Sequence, residues 1–411
     1  MPGISVLFLH ASGAFGGASK SLCELLAGMP ADSVDAVILC PHGSAAAQFR
    51  RTGARVEAIS GVPKWDHTRF SYYRGLRWLL LLREAAYFAT AWLAVRRLRR
   101  QIEVDLVHAN DITLLPFAER VAELFGVPLI VHARSLQNDT PGLRRTRWRT
   151  AGLLRSKARV IAIDETVRRS LPAEVAVQVI HNGLRIPPQA ALPPAARKFR
   201  VAIIGVLLRL KGVFEFVAAA EICRARGLDV EFWIVGENVR EVRGLRGRLL
   251  SWLGFAEDVR AGLEQEIRAR GLEPQVKLLG FVEDVASIYR QIDVLCFPSY
   301  LDAAGRPVFE AAWFGVPSVV AVREPLPDTI AHGESGLCIA ASTAEALAEA
   351  IIRLHADPAE RRRLGEGAMR LARKYFDQEQ NSRQVLELYR ATIHHKRAPA
   401  DRTDGRGIAI E

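Results

Sequence analysis

The chain is short of sulfur, with three methionines and five cysteines in 411 residues. Cys23, Cys40, Cys223, Cys296 and Cys338 form no CxxC pair, and their odd number argues against a disulfide framework. Cys40 and Cys296 lie in apolar strand-like runs and read as small core side chains of a reducing compartment. Long apolar runs are missing too. The most membrane-like stretch, "WLLLLREAAYFATAWLAV" from Trp78 to Val95, is interrupted by Arg83 and Glu84, which argues against a bilayer span. The opening "MPGISVLFLH" lacks a charged n-region and a long h-region, so it is expected to be a first strand and not a signal peptide. No DxD-type metal motif stands at a strand end, and no nucleic-acid motif accompanies the charge.

What is present is the composition of a soluble globular protein, 49% hydrophobic and 25% charged. Its length exceeds one ordinary core and predicts two domains of roughly 150–200 residues each. The net charge of +11 is unevenly spread. Residues 1–195 hold 25 Lys and Arg against 15 Asp and Glu, and residues 196–411 hold 31 against 30. A basic first half points to an anionic partner: membrane lipid, nucleic acid or a phosphorylated substrate.

Short β-branched runs alternate with helix-length segments. The first half offers "ISVLFLH", "VDAVILC", "ARVEAIS", "VDLVHAN", "VPLIVHAR", "ARVIAID" and "VAVQVIHNG". Such runs suit strands buried on both faces of a parallel sheet. Four prolines within "IPPQAALPPAARK" break the pattern and mark a linker. The alternation restarts with "FRVAIIG", "VEFWIVG", "VKLLGF", "VLCFPS", "PSVVAV" and "GLCIA". The expected division is a first Rossmann-like domain over 1–186, a linker over 187–198, a second Rossmann-like domain over 199–375, a C-terminal helix over 376–395 and a disordered tail over 396–411. Two doubly wound sheets in tandem imply a cleft between their carboxyl edges, where open α/β sheets bind ligands.

The motifs sit just after strands. In "AIIGVLLRLKGVFEF" the strand ends at Gly205, and Arg209 and Lys211 stand at a strand-to-helix mouth that suits a diphosphate; the plain alternative is an exposed basic pair. "WIVGEN" closes on Gly236, and "LLGFVED" places Phe281 and Val282 where backbone groups can meet a flat base; either is also an ordinary loop. In "DAAGRPVFE" two acids flank a glycine turn. Gly305 permits close backbone approach, Pro307 suits a first helical turn, and the N–H groups around Ala304 to Arg306 form a nest. Asp302 and Glu310 would accept vicinal hydroxyls at the two ends of a sugar–diphosphate–ribose, or else serve as a turn cap and a helix-dipole partner.

In combination these elements are more specific. The run "GVLLRLKG … WIVGEN … VKLLGFVEDV … IDVLCFPSYLDAAGRPVFEAAWFGVPSVVA … HGESGLCI" resembles the retaining glycosyltransferases of family 4 in order and spacing, and "FGGASKSLCELL" and "VIHNGL" extend the resemblance over nearly the whole chain. The resemblance implies an α/β fold of GT-B architecture: two Rossmann-like doubly wound domains facing each other across a cleft. It implies that Glu310 binds the donor ribose, with Val308 beside it in the motif, that Asp302 contacts the sugar, that Lys211 neutralises the leaving diphosphate, and that Gly16 and Gly17 belong to a loop closing on the donor. His132, ending "VPLIVH", would stand beside the sugar ring; His108 in "DLVHAND" has the same local setting. Three departures from the family pattern are visible: the first acid is aspartate and not glutamate, Val206 replaces an arginine whose place Arg209 can take, and "REPLPD" replaces a paired glycine.

The expected donor is therefore a UDP- or GDP-sugar, with no metal and no further cofactor. Nucleic acid is not an expected partner. "KWDHTRFSYYRGLRWLLLLREAAYFATAWLAVRRLRR" carries nine basic residues against two acids, and "LRRTRWRTAGLLRSKAR" seven against none. Trp, Tyr and Arg near leucine runs suit an anionic bilayer surface, or a partly buried helix with a solvated basic end. The expectation is a cytoplasmic enzyme, peripheral on the cytoplasmic face of the inner membrane, acting on a sugar or lipid-linked glycan acceptor. The alternatives are a nucleotide-sugar binder or scaffold that transfers nothing and, less in keeping with the motif spacing, an epimerase on the same architecture.

Overall fold

The short β-branched runs become the strands of two parallel sheets. The computed structural model describes residues 3–66, 68, 78–138, 144–185, 197–238 and 258–397. The expected linker over 187–198 lies outside the described residues except for Arg197 and Lys198, as does the expected tail from 398 onward. The chain divides into two compact units, one of residues 1–163, 167–180 and 379–411, the other of 164–166 and 181–378.

Unit 1, among the described residues, holds seven strands: β1 (Ile4–Leu9), β2 (Val34–Pro41), β3 (Arg55–Ile59), β4 (Leu106–Ala109), β5 (Leu129–Ala133), β6 (Arg159–Ala162) and β7 (Val177–Val179). They pair in the order β3-β2-β1-β4-β5-β6-β7, all parallel, with Phe8 opposite Ile38 on one side and His108 on the other. Alternate residues of each strand face opposite ways, so two cores form. Leu7, Leu9, Val107 and Val131 pack with α3 (Leu80–Leu98) and α4 (Leu115–Phe125). Val6, Phe8, Ile38 and Ile130 share the other core with Leu22 and Leu25 of α1 (Gly17–Ala27) and Phe49 of α2 (Ser44–Arg51). Two further helices are α5 (Arg144–Ser156) and α6 (Glu165–Arg169).

Unit 2 holds, among the described residues, β8 (Phe199–Ile204), β9 (Val230–Val235), β10 (Val276–Gly280), β11 (Val294–Phe297), β12 (Ser318–Ala321) and β13 (Gly336–Ile339), again parallel and ordered β10-β9-β8-β11-β12-β13. One face packs on α7 (Val213–Ala225), α8 (Val259–Ala269) and α11 (Ala344–Ala356). The other packs on α9 (Val285–Tyr289), α10 (Arg306–Trp313) and α12 (Pro358–Tyr375). The last helix, α13 (Gln378–Arg397), sets Val385, Tyr389 and Ile393 into the second core of unit 1.

In both sheets the order reverses once, between β1 and β4 and between β8 and β11. Loops leaving the carboxyl ends of adjacent strands part there in opposite directions and leave a crevice. Gly16 and Gly17 follow β1 and His132 ends β5, while Gly205–Lys211 follows β8 and Asp302–Glu310 follows β11. Each unit thus carries these residues at the reversal or one strand from it, while Gly236 follows β9, one strand away, and Phe281 and Val282 follow β10, two strands away.

Candidate active site

The unit 2 site is built from backbone first. Three strand-end glycines that are weak signals singly become neighbours because β8, β9 and β10 are adjacent. Gly205 N–H donates to the Val235 carbonyl (2.9 Å), and Gly236 N–H donates to the Gly280 carbonyl (2.8 Å). At Gly236, φ is +145°, and a Cβ would fall 1.8 Å from the Gly205 carbonyl oxygen, so no larger residue fits. Phe281, just beyond Gly280, is 75% exposed, its ring free of the core, and Val282 packs at the edge of the core.

The loops after β8 and β11 are tied together. Ser299 Oγ donates to the Leu210 carbonyl (3.2 Å), as does Tyr300 N–H (3.0 Å), and Tyr300 Oη donates to Glu215 (2.6 Å). Arg209–Lys211 forms one turn of 3-10 helix, closed by Gly212 at φ +74°. Here the Lys211 ammonium lies 4.9 Å from the Phe297 ring centroid, and Arg209 covers the Phe214 ring at 4.3 Å. Burial lowers the Lys211 pKa from its ordinary value. Among the described residues no carboxylate pairs with this half-buried cation.

The stretch "DAAGRPVFE" turns into α10 at Gly305, with Arg306 and Pro307 in its first turn and Val308 N–H donating back to the Gly305 carbonyl (2.9 Å). A Cβ at Gly305 would meet the Phe297 ring at 2.5 Å, which explains the glycine by packing. Glu310 lies one turn on, on the inner side of the helix. Arg306 Nε donates to Glu310 Oε1 (2.7 Å), and the buried Tyr289 Oη donates to Oε2 (2.8 Å). These two neighbours fix the orientation of the carboxylate, and a carboxylate oxygen can accept more than one donor. Burial, and then the charge of Glu310, push the Tyr289 pKa well up, so the phenol stays a donor.

Asp302 is held otherwise. Its φ is +54°, in the left-handed region that aspartate tolerates better than most residues. Its Oδ1 accepts from Arg323 N–H (2.9 Å), and its Oδ2 accepts from Arg323 Nε (2.9 Å) and a second guanidinium nitrogen (2.5 Å). Two departures seen in the sequence, the shorter acid and "REPLPD", therefore meet in one ion pair. Ala304 packs against the core beside it.

In unit 1, Gly16 caps α1, Gly17 begins it, and a Cβ at either would meet nothing within 4 Å. Packing within the chain does not require glycine there, and the loop leaves room for a close neighbour. His132 is 3% exposed, and its Nε2 has no hydrogen-bond partner among the described residues. Sequence reasoning did not single out Tyr289, Phe297 or Arg134, and it met Arg323 only as the first residue of "REPLPD". Arg134 carried a visible signal in standing two residues after His132. Among the described residues no group of three or more His, Cys, Asp or Glu could hold a metal ion.

The resemblance seen in the sequence leads to the expectation of a nucleotide-sugar site at Lys211, Glu310 and Phe281. The comparisons agree in class. Residues 16–183 match the glycosyl transferase 4-like domain, and residues 189–370 match glycosyl transferases group 1. The chain belongs to this glycosyltransferase family. It is 22% identical over 407 residues to the glycogen synthase of Mycobacterium tuberculosis, covering 94% of each. It is 27% identical over 263 residues to the lipopolysaccharide core biosynthesis mannosyltransferase LpcC of Rhizobium leguminosarum, covering 62% of this chain and 69% of that one. Its fold is that of Anabaena HepE, solved in complex with UDP and glucose, with a TM-score of 0.73, 22% identity, and 94% of this chain and all of that one covered.

Proposed function

We propose that the enzyme moves a sugar from a UDP- or GDP-sugar to a hydroxyl of a lipid-linked or polysaccharide precursor, with retention of anomeric configuration and without a metal or other cofactor. The observation that carries this reading is Lys211, a desolvated cation at the mouth of β8 with no carboxylate partner among the described residues. Breaking a glycosyl–phosphate bond builds negative charge on the diphosphate, and a fixed cation stabilises that charge as it forms. Arg209 is a second cation on the same turn. Glu310, braced by Arg306 and Tyr289, binds the ribose hydroxyls, and Phe281 covers the base. Both acids are matched by arginine, so neither is placed as a general base. Delivery of the acceptor on the face that the diphosphate leaves, with a phosphate oxygen taking the proton, fits that arrangement.

The acceptor reading rests on unit 1. Among the described parts of segments 64–100 and 142–159, Trp78, Leu79, Leu82, Leu93, Trp148 and Leu154 are exposed on the basic helices α3 and α5 or at their ends. Among the described residues no helix is long and apolar enough to cross a membrane, so docking would be peripheral. The mannosyltransferase of lipopolysaccharide core noted above supports an envelope glycan as acceptor.

A panel of UDP- and GDP-sugars with lipid-linked and oligosaccharide acceptors tests the reading. Nucleotide release that requires an acceptor, a product of unchanged anomeric configuration, and activity that survives a chelator are expected. Binding without turnover across the panel would favour the scaffold reading, for which the Asp302–Arg323 pair occupying the sugar-side acid is the supporting observation. For docking, the whole chain should sediment with anionic but not neutral vesicles, less so at high salt and less so with Trp78→Ser and Leu82→Ser. Equal sedimentation with both kinds of vesicle would reject the membrane surface.

A further inference from the structure

A connected polar network lies at the carboxyl edge of the unit 1 sheet, and one member fixes the proton positions of the rest. Arginine can only donate. Arg134 donates to Asn110 Oδ1 through Nε (3.1 Å) and a terminal nitrogen (2.8 Å), and through Nε to the Asn110 carbonyl (2.9 Å). Asn110 Oδ1 is thereby the acceptor end, and the amide nitrogen must point the other way. That nitrogen donates to His10 Nδ1 (2.9 Å) and to the Ala18 carbonyl (3.2 Å). With Nδ1 accepting, the His10 proton sits on Nε2, which donates to Ser19 Oγ (3.0 Å). Ser19 in turn donates to the Ala14 carbonyl (3.3 Å), inside the loop that carries Gly16 and Gly17.

The same guanidinium reaches the second histidine. Its terminal nitrogen lies 3.2 Å from His132 Nδ1. By the same logic His132 Nδ1 accepts and its proton sits on Nε2, the buried atom left without a partner. Burial and then the charge of Arg134 hold His10 down to about 3 and His132 well below the ordinary histidine value, so both rings are neutral across the physiological range. The groups that bear on His132 from other elements are His108 on β4, 5.5 Å between ring centroids, and beyond it Tyr389 on α13, whose hydroxyl lies 2.6 Å from His108 Nδ1.

We propose that Arg134 is a positioning residue that locks His132 as a neutral Nε2–H donor and sets, through Asn110 and His10, the hydrogen bonds holding the Gly16–Gly17 loop. His132 then donates to a sugar or acceptor oxygen and cannot serve as a general base. This use of the donor rests on the transfer reading above; the proton positions do not.

The test is long-range proton–nitrogen spectroscopy of the full chain labelled with nitrogen-15 histidine, with His10→Gln and His132→Gln giving the assignments. Wild type is expected to show both rings protonated on Nε2 alone, without titration from pH 5 to 8. Arg134→Met removes the obligatory donor, so the Nδ1–H form of His132 should appear, while Arg134→Lys, which still donates, should restore the Nε2–H form. In a transfer assay Arg134→Met should lose kcat on the order of ten-fold or more with UDP affinity unchanged. A wild-type His132 that carries its proton on Nδ1 or titrates in that range overturns the proposal, and so does an unchanged tautomer in a folded Arg134→Met. Spectra as expected with no transfer activity in any variant would keep the lock and reject the transfer reading.

Discussion

Replacing Lys211 by alanine isolates the charge at the mouth of β8. In the absence of ligand this ammonium is a cost to the fold, because burial lowers its pKa below the ordinary 10.5 and no carboxylate among the described residues repays it. A lysine whose folded pKa is lowered binds fewer protons folded than unfolded, so stability rises as pH climbs from the folded value toward 10.5. Lys211→Ala should therefore melt no lower than wild type and lose that alkaline rise. Catalysis should move the other way. A unit charge about 4 Å from a developing anion is worth roughly 4 kcal/mol at the effective dielectric of a protein surface. Part of that already binds the ground state, and losing one preorganised electrostatic partner typically costs about 2.7–4 kcal/mol, or on the order of 100–1000-fold in kcat. The assay is nucleotide release with acceptor present, beside a thermal melt of the same preparation. A folded Lys211→Ala with near-normal turnover would refute the assignment, and a loss confined to Arg209→Ala would move the role one residue along the turn.

Tyr289→Phe removes one of the groups aiming Glu310 and should weaken UDP binding by about 1–2 kcal/mol, roughly 5–30-fold; unchanged calorimetric affinity would remove Glu310 or its brace from the nucleotide site. Arg323→Ala breaks an exposed pair and should change stability little. It should shift KM among donor sugars and leave UDP affinity in place, whereas lost UDP affinity would put the pair under the nucleotide. Asp328 Oδ2 accepts from His181 Nε2 (2.9 Å) and Glu165 N–H (2.8 Å). Burial pushes its pKa up, but these hydrogen bonds outweigh it and leave the value below the ordinary 3.8. Its stabilisation is complete above that value and lost as pH falls through the folded one, so acid melts should show a limb that Asp328→Asn lacks; an identical limb in the variant would assign it elsewhere.

The two sheets were legible because strands buried on both faces must be β-branched and apolar, and little else in the chain is. The phosphate turn and the second acid were legible because strand-to-helix mouths bring glycine and charge together at short spacing. Tyr289 was not legible: inside "SIYRQID" it is one more apolar helical residue until α9 packs beside α10. The Asp302–Arg323 pair depends on where the loop after β12 returns, 21 residues downstream, and no local pattern encodes that distance. Asn110, His10 and Arg134 each follow a different strand, and their meeting depends on the order of those strands in the sheet. The amphipathic pattern of α13 shows that it buries one face but not which sheet receives it.

The seat of α13 in unit 1 ties the closing of that unit to the end of synthesis. The described strands of unit 1 have all left the ribosome once Val179 has emerged, yet Val385, Tyr389 and Ile393, which share a core with Phe8 and Ile130, arrive about two hundred residues later. At roughly 5–20 residues per second that interval is about 10–40 s, during which the part of the apolar sheet face that α13 covers stands open. Unit 2 is complete by Gln378, before the earlier-synthesised unit can close. The half made first is thus the half finished last. Removing the last thirty or so residues would strip unit 1, whose strands lie far away in sequence, and spare the unit that directly precedes the cut.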